Sequence, residues 1–402
     1  MTIKSKISLT AVLLLIVTES YAQEVTSTKF GKGIFNVIAQ DSSWSMKFGA
    51  RMQFLSTTQW GIEDGSFEKA QSNFLVRRAR LKFEGFAYTP KLQYKIELGL
   101  SNRDISGASE FTSNAPRYIL DAVIKWNFYR NFTLWAGQTK LPGNRERVIS
   151  SGNLQFVDRS RLNSRFNIDR DLGLQLRHYF TIGKQFVVKE AFAVSQGEGR
   201  NITSGNLGGH QYTSRLEILP FGNFLDKGDY IGSAIKRENT PKLALGFTYD
   251  FNKDAVKTRS NLGNYMFTDT GLYATDISTI FADAMFKYKG FSFMGEFARR
   301  DAAEPVATQE DGETPTGDIV NVGNALSMQS GFIFKSNWEL AGRYTSINYD
   351  AIVGDPLEER YTIGLSKFIV GHKLKVQTDL TYITQAGKAS DLVYRLQFDI
   401  HF

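Results

Sequence analysis

Leu392, Tyr394, Leu396, Phe398, Ile400 and Phe402 occupy every second position up to the C-terminal residue, with Val393, Arg395, Gln397, Asp399 and His401 between them. Alternation over eleven residues describes a strand with one apolar and one mostly polar face. About the same length is what a tilted strand needs to cross a bilayer. The two-faced pattern recurs upstream. Leu92, Tyr94, Ile96, Leu98 and Leu100 alternate with polar residues or glycine, and Leu243, Leu245, Phe247 and Tyr249 repeat the period with Ala244, Gly246 and Thr248 between them.

Alternation and turn residues together predict about sixteen strands, near 44–60, 73–88, 91–101, 117–129, 131–140, 170–181, 185–196, 211–220, 241–252, 275–289, 290–300, 323–335, 337–349, 358–370, 372–386 and 390–402. Their connections sort by parity. Tight turns such as Thr89-Pro90, Arg130-Asn131, Lys289-Gly290, Ser336-Asn337 and Val370-Gly371 follow even-numbered strands, whereas odd strands are mostly followed by longer segments. Short turns at one end and long loops at the other are expected of an all-β transmembrane antiparallel barrel, with short periplasmic turns and long external loops. One stretch breaks the rule: 221–240 is long where a short turn is due. A barrel of this strand number is expected to enclose an aqueous lumen rather than a core of side chains.

The N-terminal end supports export. Lys4 and Lys6 precede an apolar run from Ile7 to Val17, and Ser20-Tyr21-Ala22 supplies a small-x-small cleavage site. The expected organisation is a signal peptide over 1–22, a periplasmic segment over 23–43 and the barrel over 44–402. The expected location is the outer membrane of a Gram-negative bacterium, with the chain in contact with outer-membrane lipid. The C-terminal Phe402 at the apolar phase resembles the assembly signal of outer-membrane barrels.

Composition narrows the chemistry. With no cysteine, neither disulfides nor thiolate metal sites are available. The 31 Phe and 17 Tyr suit lipid-facing strands and aromatic girdles better than a soluble domain. Trp44, Trp60, Trp126 and Trp338 fall near strand ends, where such girdles lie.

The longest predicted external connection, 141–169, carries Arg145, Arg147, Arg159, Arg161 and Arg165, and Arg170 and Arg177 follow in the next strand. No lysine occurs between Leu141 and Arg177, and only Glu146, Asp158, Asp169 and Asp171 oppose the arginines. A guanidinium stays charged and binds phosphate or carboxylate through a planar fork, so such a loop folded inward predicts an anion-selective constriction. The alternative is a solvated loop whose arginines pair with carboxylates of the barrel wall. A second cluster lies in the second strand, where Arg78, Arg80 and Lys82 share the inward phase with Glu84; Arg77 is out of phase and requires a bulge or a place near the strand end. Lys47, Arg51, Lys95, Lys125 and Arg215 also fall at inward positions.

Several stretches resemble the phosphate-selective porin O and P family, in its Bacteroidota-type branch: FGARMQF, RRARLKFEG, ILDAVIKW, FTLWAGQTKLPGNRERVISSGNLQFVDRSRLN, RDLGLQLRHYF, YTSRLEILPFG and the terminal strand. The resemblance implies a homotrimeric sixteen-stranded porin whose third external loop folds into the lumen and whose inward Arg and Lys guide phosphate. Gln138, Lys140 and Pro142 match the loop's entry motif, and Arg159 and Arg161 its basic second half. The loop's lack of lysine departs from the pattern, so Lys82, Lys95 or Lys125 would have to substitute.

Other classes have less support. The four histidines, His178, His210, His372 and His401, show neither metal-ligand spacing nor a nucleophile motif, so no enzyme, cofactor or metal is expected. A pI of about 9.2 is no sign of nucleic-acid binding here, because the basic residues lie in membrane-type strands. The expectation is a passive channel for small inorganic anions, phosphate or polyphosphate-type, and the rival is a non-conducting barrel within an outer-membrane complex.

Overall fold

A computed structural model describes residues 29–402 together with the backbone of Glu24–Thr26. The expected signal peptide lies outside the described residues. Sixteen long antiparallel strands form the barrel: β1 (Ser45–Glu63), β2 (Gln71–Ala87), β3 (Thr89–Gly99), β4 (Ile119–Tyr129), β5 (Phe132–Lys140), β6 (Arg170–Ile182), β7 (Phe186–Ser195) and β8 (Gln211–Leu219), then β9 (Lys242–Ala255), β10 (Thr275–Tyr288), β11 (Phe291–Ala302), β12 (Gly323–Ile333), β13 (Trp338–Tyr349), β14 (Glu358–Phe368), β15 (Leu374–Gln385) and β16 (Ser390–His401). Each pairs with its sequence neighbour, and β16 pairs with β1 from Ser390↔Ile62 to His401↔Arg51, which closes the cylinder. Closure matters physically, because an open edge in hydrocarbon would leave backbone donors and acceptors unsatisfied.

The alternation sorts as the pattern requires. Phe247, Leu365, Tyr394 and Phe398 are exposed on the outer surface, whereas Gln53, Asp250, Asp379 and Asp399 are buried on the inner one. The even-strand connections are tight except for the long segment after β8, and Lys289 and Gly290 both adopt positive φ (46° and 97°), as a two-residue hairpin of the primed type demands. On the N-terminal side, the short strand Phe35–Ile38 pairs with Ser45–Phe48 and extends the sheet beyond the end of β16.

Arg77 is where the structure resolves a phase conflict. The β1–β2 register slips between Gln53↔Arg78 and Phe54↔Val76, so Arg77 is the extra residue of a bulge. The bulge lets adjacent arginines, 77 and 78, both reach Asp158 of the inward loop.

The interior departs from the expected open lumen. Loop 141–169 contributes Leu141, Leu162, Phe166 and Ile168 to a buried cluster with Ala193, Phe281, Ala298, Ala325 and Ile347. Its Ile149 and Leu154 join a second cluster with Phe224, Leu219, Met285 and Met294. The inner face of β7–β13 carries small or apolar residues at these points, so the loop packs there as an ordinary hydrophobic core. That side of the barrel is filled, and the free space lies along β1–β6.

Candidate functional site

Loop 141–169 is built from short pieces: a helical turn at Arg145–Val148, a 3-10 turn at Ser151–Asn153 and a helix at Arg161–Phe166. Serines cap two of them, with Ser150 Oγ accepting from the Gly152 N–H and Ser160 Oγ from the Asn163 N–H. The loop spans the interior, because its bonds reach walls on opposite sides. Arg145 pairs with Asp283 at 2.7 Å and Glu217 at 3.3 Å. Gln155 donates to Glu339 at 2.9 Å and Ser292 at 3.0 Å. Val157 N–H donates to Asp379, and Arg343 donates to the Asp158 carbonyl. Facing them on β1 and β2, Arg51 donates to Ser151 Oγ at 2.6 Å, and Arg77 and Arg78 bind Asp158 at 2.8 and 3.1 Å.

Two cavities flank the loop, one on each side. The first, of about 350 Å³, lies toward the long loops and is lined by nine arginines and Lys140 against three aspartates, Asp104, Asp158 and Asp169. The second, of about 290 Å³, lies toward the short turns, with Arg51, Lys82, Lys95, Lys373 and His401 among its lining. Arg80 lines both cavities. Its guanidinium reaches Ser151 Oγ at 3.4 Å while Arg51 holds the same hydroxyl, so these three residues stand at the junction.

The cations fall into two kinds. Those of the second-strand ladder are neutralised: Arg80 by Asp104 at 2.9 Å and Glu97 at 3.1 Å, Lys82 by Glu84 at 2.5 Å, and Lys95 by Glu97 and Asp121, both at 2.7 Å. Arg170 likewise pairs with Asp121 at 3.1 Å. Lys140 and Arg159 instead donate to backbone carbonyls of the loop itself, Lys140 to those of Arg147, Val148 and Ile149, and Arg159 to those of Glu146 and Ile149. Arg200 donates to the Asp104 carbonyl. These three bring positive charge to the first cavity without a paired carboxylate among the described residues.

The electrostatics of the loop groups agree. Burial pushes the Arg159 guanidinium down to about 10, against the pull of Glu146 and Asp158 and with repulsion from Arg80 and Arg170 adding to the effect. Arg147 is lowered by burial and by Arg159 and Arg170, although Asp169 bonds it directly. Burial would raise the Asp158 carboxyl, but Arg77 and Arg78 hold it well below the usual carboxylate range. Arginines that repel one another in a confined space gain from an anion placed among them.

The sequence-derived candidates separate accordingly. Arg78, Arg80, Arg147, Arg159 and Arg170 line the first cavity, and Lys82 and Lys95 the second. Arg145 and Arg215 do not line either cavity. Both are buried against the shared carboxylates Asp283 and Glu217, where they anchor the loop and the wall. Arg161 turns to Glu358, Arg165 lies outside both cavity linings, and Lys125 sits over the Trp135 ring at 3.9 Å. Lys140, Arg77, Arg103, Arg200 and Arg259 line the first cavity without having been singled out as pathway residues. Lys140 had a signal, since it ends the strand that launches the loop. Arg103, Arg200 and Arg259 come from three other connections, and nothing in local spacing brings them together.

Among the described residues no cluster of three or more metal-ligating side chains occurs. His178 stacks on Phe132, and His401 bonds Asp399.

Comparison with known proteins gives a consistent picture. The sequence profile of the phosphate-selective porin O and P family matches residues 56–392. An uncharacterised protein of Aquifex aeolicus (strain VF5) is 23% identical over 360 residues, covering 83% of this chain and 82% of that protein. Among solved structures, the fold is similar to an anion-selective porin from Comamonas acidovorans, with a TM-score of 0.53, 12% identity, and coverage of 89% of this chain and 100% of that one. The outer membrane channel DcaP of Acinetobacter baumannii gives a TM-score of 0.53 at 12% identity, covering 91% of this chain and 99% of the other.

Proposed function

The chain belongs to the phosphate-selective porin O and P family, and from that premise we propose that it is an outer-membrane diffusion channel selective for small anions, with phosphate as the leading substrate. The observation that carries the proposal is the first cavity, where nine arginines and Lys140 face three aspartates. An anion entering from the long-loop side, taken as external, meets Arg159, Lys140 and Arg200 first. Guanidinium forks replace part of its hydration shell there. It then passes the Arg80–Ser151–Arg51 junction and reaches the side lined by Lys82 and Lys95. These two are paired with carboxylates, so they hold an anion weakly enough to release it, as conduction requires. The solved anion-selective porin of similar fold supports the sign of this preference by analogy only.

No step in this reading is chemical. The filled half of the lumen favours a non-conducting barrel as the rival reading, whereas the two cavities with Arg80 in both linings favour the channel. Planar-bilayer recording decides between them. Reversal potentials in a KCl gradient are expected to show chloride preferred over potassium, and phosphate is expected to block the chloride current more strongly than sulfate or small carboxylates. Folded protein without conductance removes the channel, and equal block by all anions removes phosphate as the substrate. Assembly as a homotrimer is part of the same proposal and is checked by the mass of the detergent-solubilised complex.

A further inference from the structure

The segment between β8 and β9, residues 221–240, stands where every other even-numbered strand makes a tight turn. Instead of lying flat across the barrel end, it turns inward and meets loop 141–169. The Gly232 N–H donates to the Asn153 carbonyl at 2.8 Å. The approach is so close that a Cβ at position 232 would lie 2.6 Å from the Gln155 nitrogen and 3.0 Å from its Cβ. Next to it, Ser233 Oγ donates to Glu339 at 2.6 Å, and Gln155 of the loop donates to the same carboxylate at 2.9 Å. Arg145 of the loop donates to the Asp229 carbonyl at 3.0 Å, and Lys189 of the wall pairs with the Asp229 side chain at 2.6 Å. From β10, Lys287 donates to the carbonyls of Ile231 and Ser233 at 2.7 and 2.8 Å. Phe224 inserts among Ile149, Leu154, Met285 and Met294.

We propose that 221–240 is a second constriction element, which clasps the tip of loop 141–169 and thereby confines permeation to the β1–β6 half of the lumen. The inference rests on the channel reading above and adds what sets its bore. Two segments entering from opposite ends meet backbone to backbone at Gly232 and Asn153, and Glu339 of the wall fastens both. Neither segment alone seals that half: the loop supplies Ile149 and Leu154, and 221–240 supplies Phe224 and the buried stretch 232–234. A solute too large for the Arg80 junction therefore has no second route. Gly232 is the size-determining residue, because only a residue without a side chain allows the close contact.

The test uses the full-length barrel carrying Gln155→Cys and Gly232→Cys. The chain has no other cysteine, so a single disulfide is possible. The Cβ separation of 3.0 Å needs only a slight widening to reach the disulfide range of about 3.5–4.5 Å. Oxidised protein, its two segments held together by the staple, is the reference state against which the reduced protein is read. Reduction removes the staple while leaving at position 232 a side chain that the wild type lacks, so unit conductance is expected to rise by about twofold, as for a second path of similar width opening beside the first. Liposome swelling should then report faster entry of neutral sugars. Gly232→Val, which carries the same steric conflict without redox chemistry, is expected to match the reduced protein. Unchanged conductance and sugar exclusion in reduced protein and in Gly232→Val, with wild-type channels present, overturn the clasp. Absence of channels in the wild type overturns the channel reading instead.

Discussion

Replacing Arg145 with Met tests whether the inward loop is held by buried charge. The Arg145 side chain is fully buried and bonds Asp283 at 2.7 Å and Glu217 at 3.3 Å, while Arg215 bonds the same two carboxylates at 2.8 and 2.7 Å. Two cations and two anions make the cluster neutral. Removing one cation leaves a buried negative charge, and breaking a buried pair in this way costs roughly 3–5 kcal/mol. Because Arg215 remains in place, the lower end applies, about 3 kcal/mol, or roughly 150-fold in the unfolding constant. The assay is urea unfolding of the barrel refolded in lipid vesicles, followed by tryptophan fluorescence. Adding Asp283→Asn to Arg145→Met restores neutrality and is expected to recover most of the loss. A single variant within about 1 kcal/mol of wild type, or a double variant no better than the single, refutes the charge-balance argument.

Four further outcomes are expected. Asp158→Asn frees Arg77 and Arg78 from their shared carboxylate and should raise the chloride-to-potassium permeability ratio, read from reversal potentials. Because the Asp158 carboxyl is held below its unfolded value, its contribution to stability is present above the ordinary carboxylate range and is lost only as pH falls through the depressed value; a stability loss from this pairing setting in above about pH 5 would contradict the assignment. Phe247→Lys places a charge on the exposed outer face and should cost about 2–4 kcal/mol near the membrane midplane, read by the same urea unfolding. Phe402→Ala is expected to lower the amount of barrel assembled in cells, measured by heat-modifiable gel mobility, while leaving refolding in detergent intact.

The barrel was legible because strand faces are written in consecutive residues: Leu392 to Phe402 alternate, and the structure has a strand over Ser390–His401. Even the fault at Arg77 could be anticipated, since two adjacent arginines cannot both point inward without an extra residue. The interior was less legible. That Arg145 would be consumed by Asp283 while Arg159 would keep only carbonyl partners depends on which wall each meets, more than a hundred residues away in the case of Asp283. Likewise the ladder of Arg80, Lys82 and Lys95 carries its own counter-charges in Glu84, Glu97 and Asp121, so inward phase alone overstated its pull on anions. The apolar side of the lumen was masked because small and apolar residues facing inward, such as Ala298 and Ala325, give no signal until the loop that covers them is in place.

The ion pair between Arg51 and Asp399 joins the first and last strands across the line where the cylinder shuts, and the same guanidinium grips Ser151. The inner loop and the closing seam therefore share one side chain, so whatever loosens Ser151 from Arg51 also removes a neighbour from the pair that spans the line of closure.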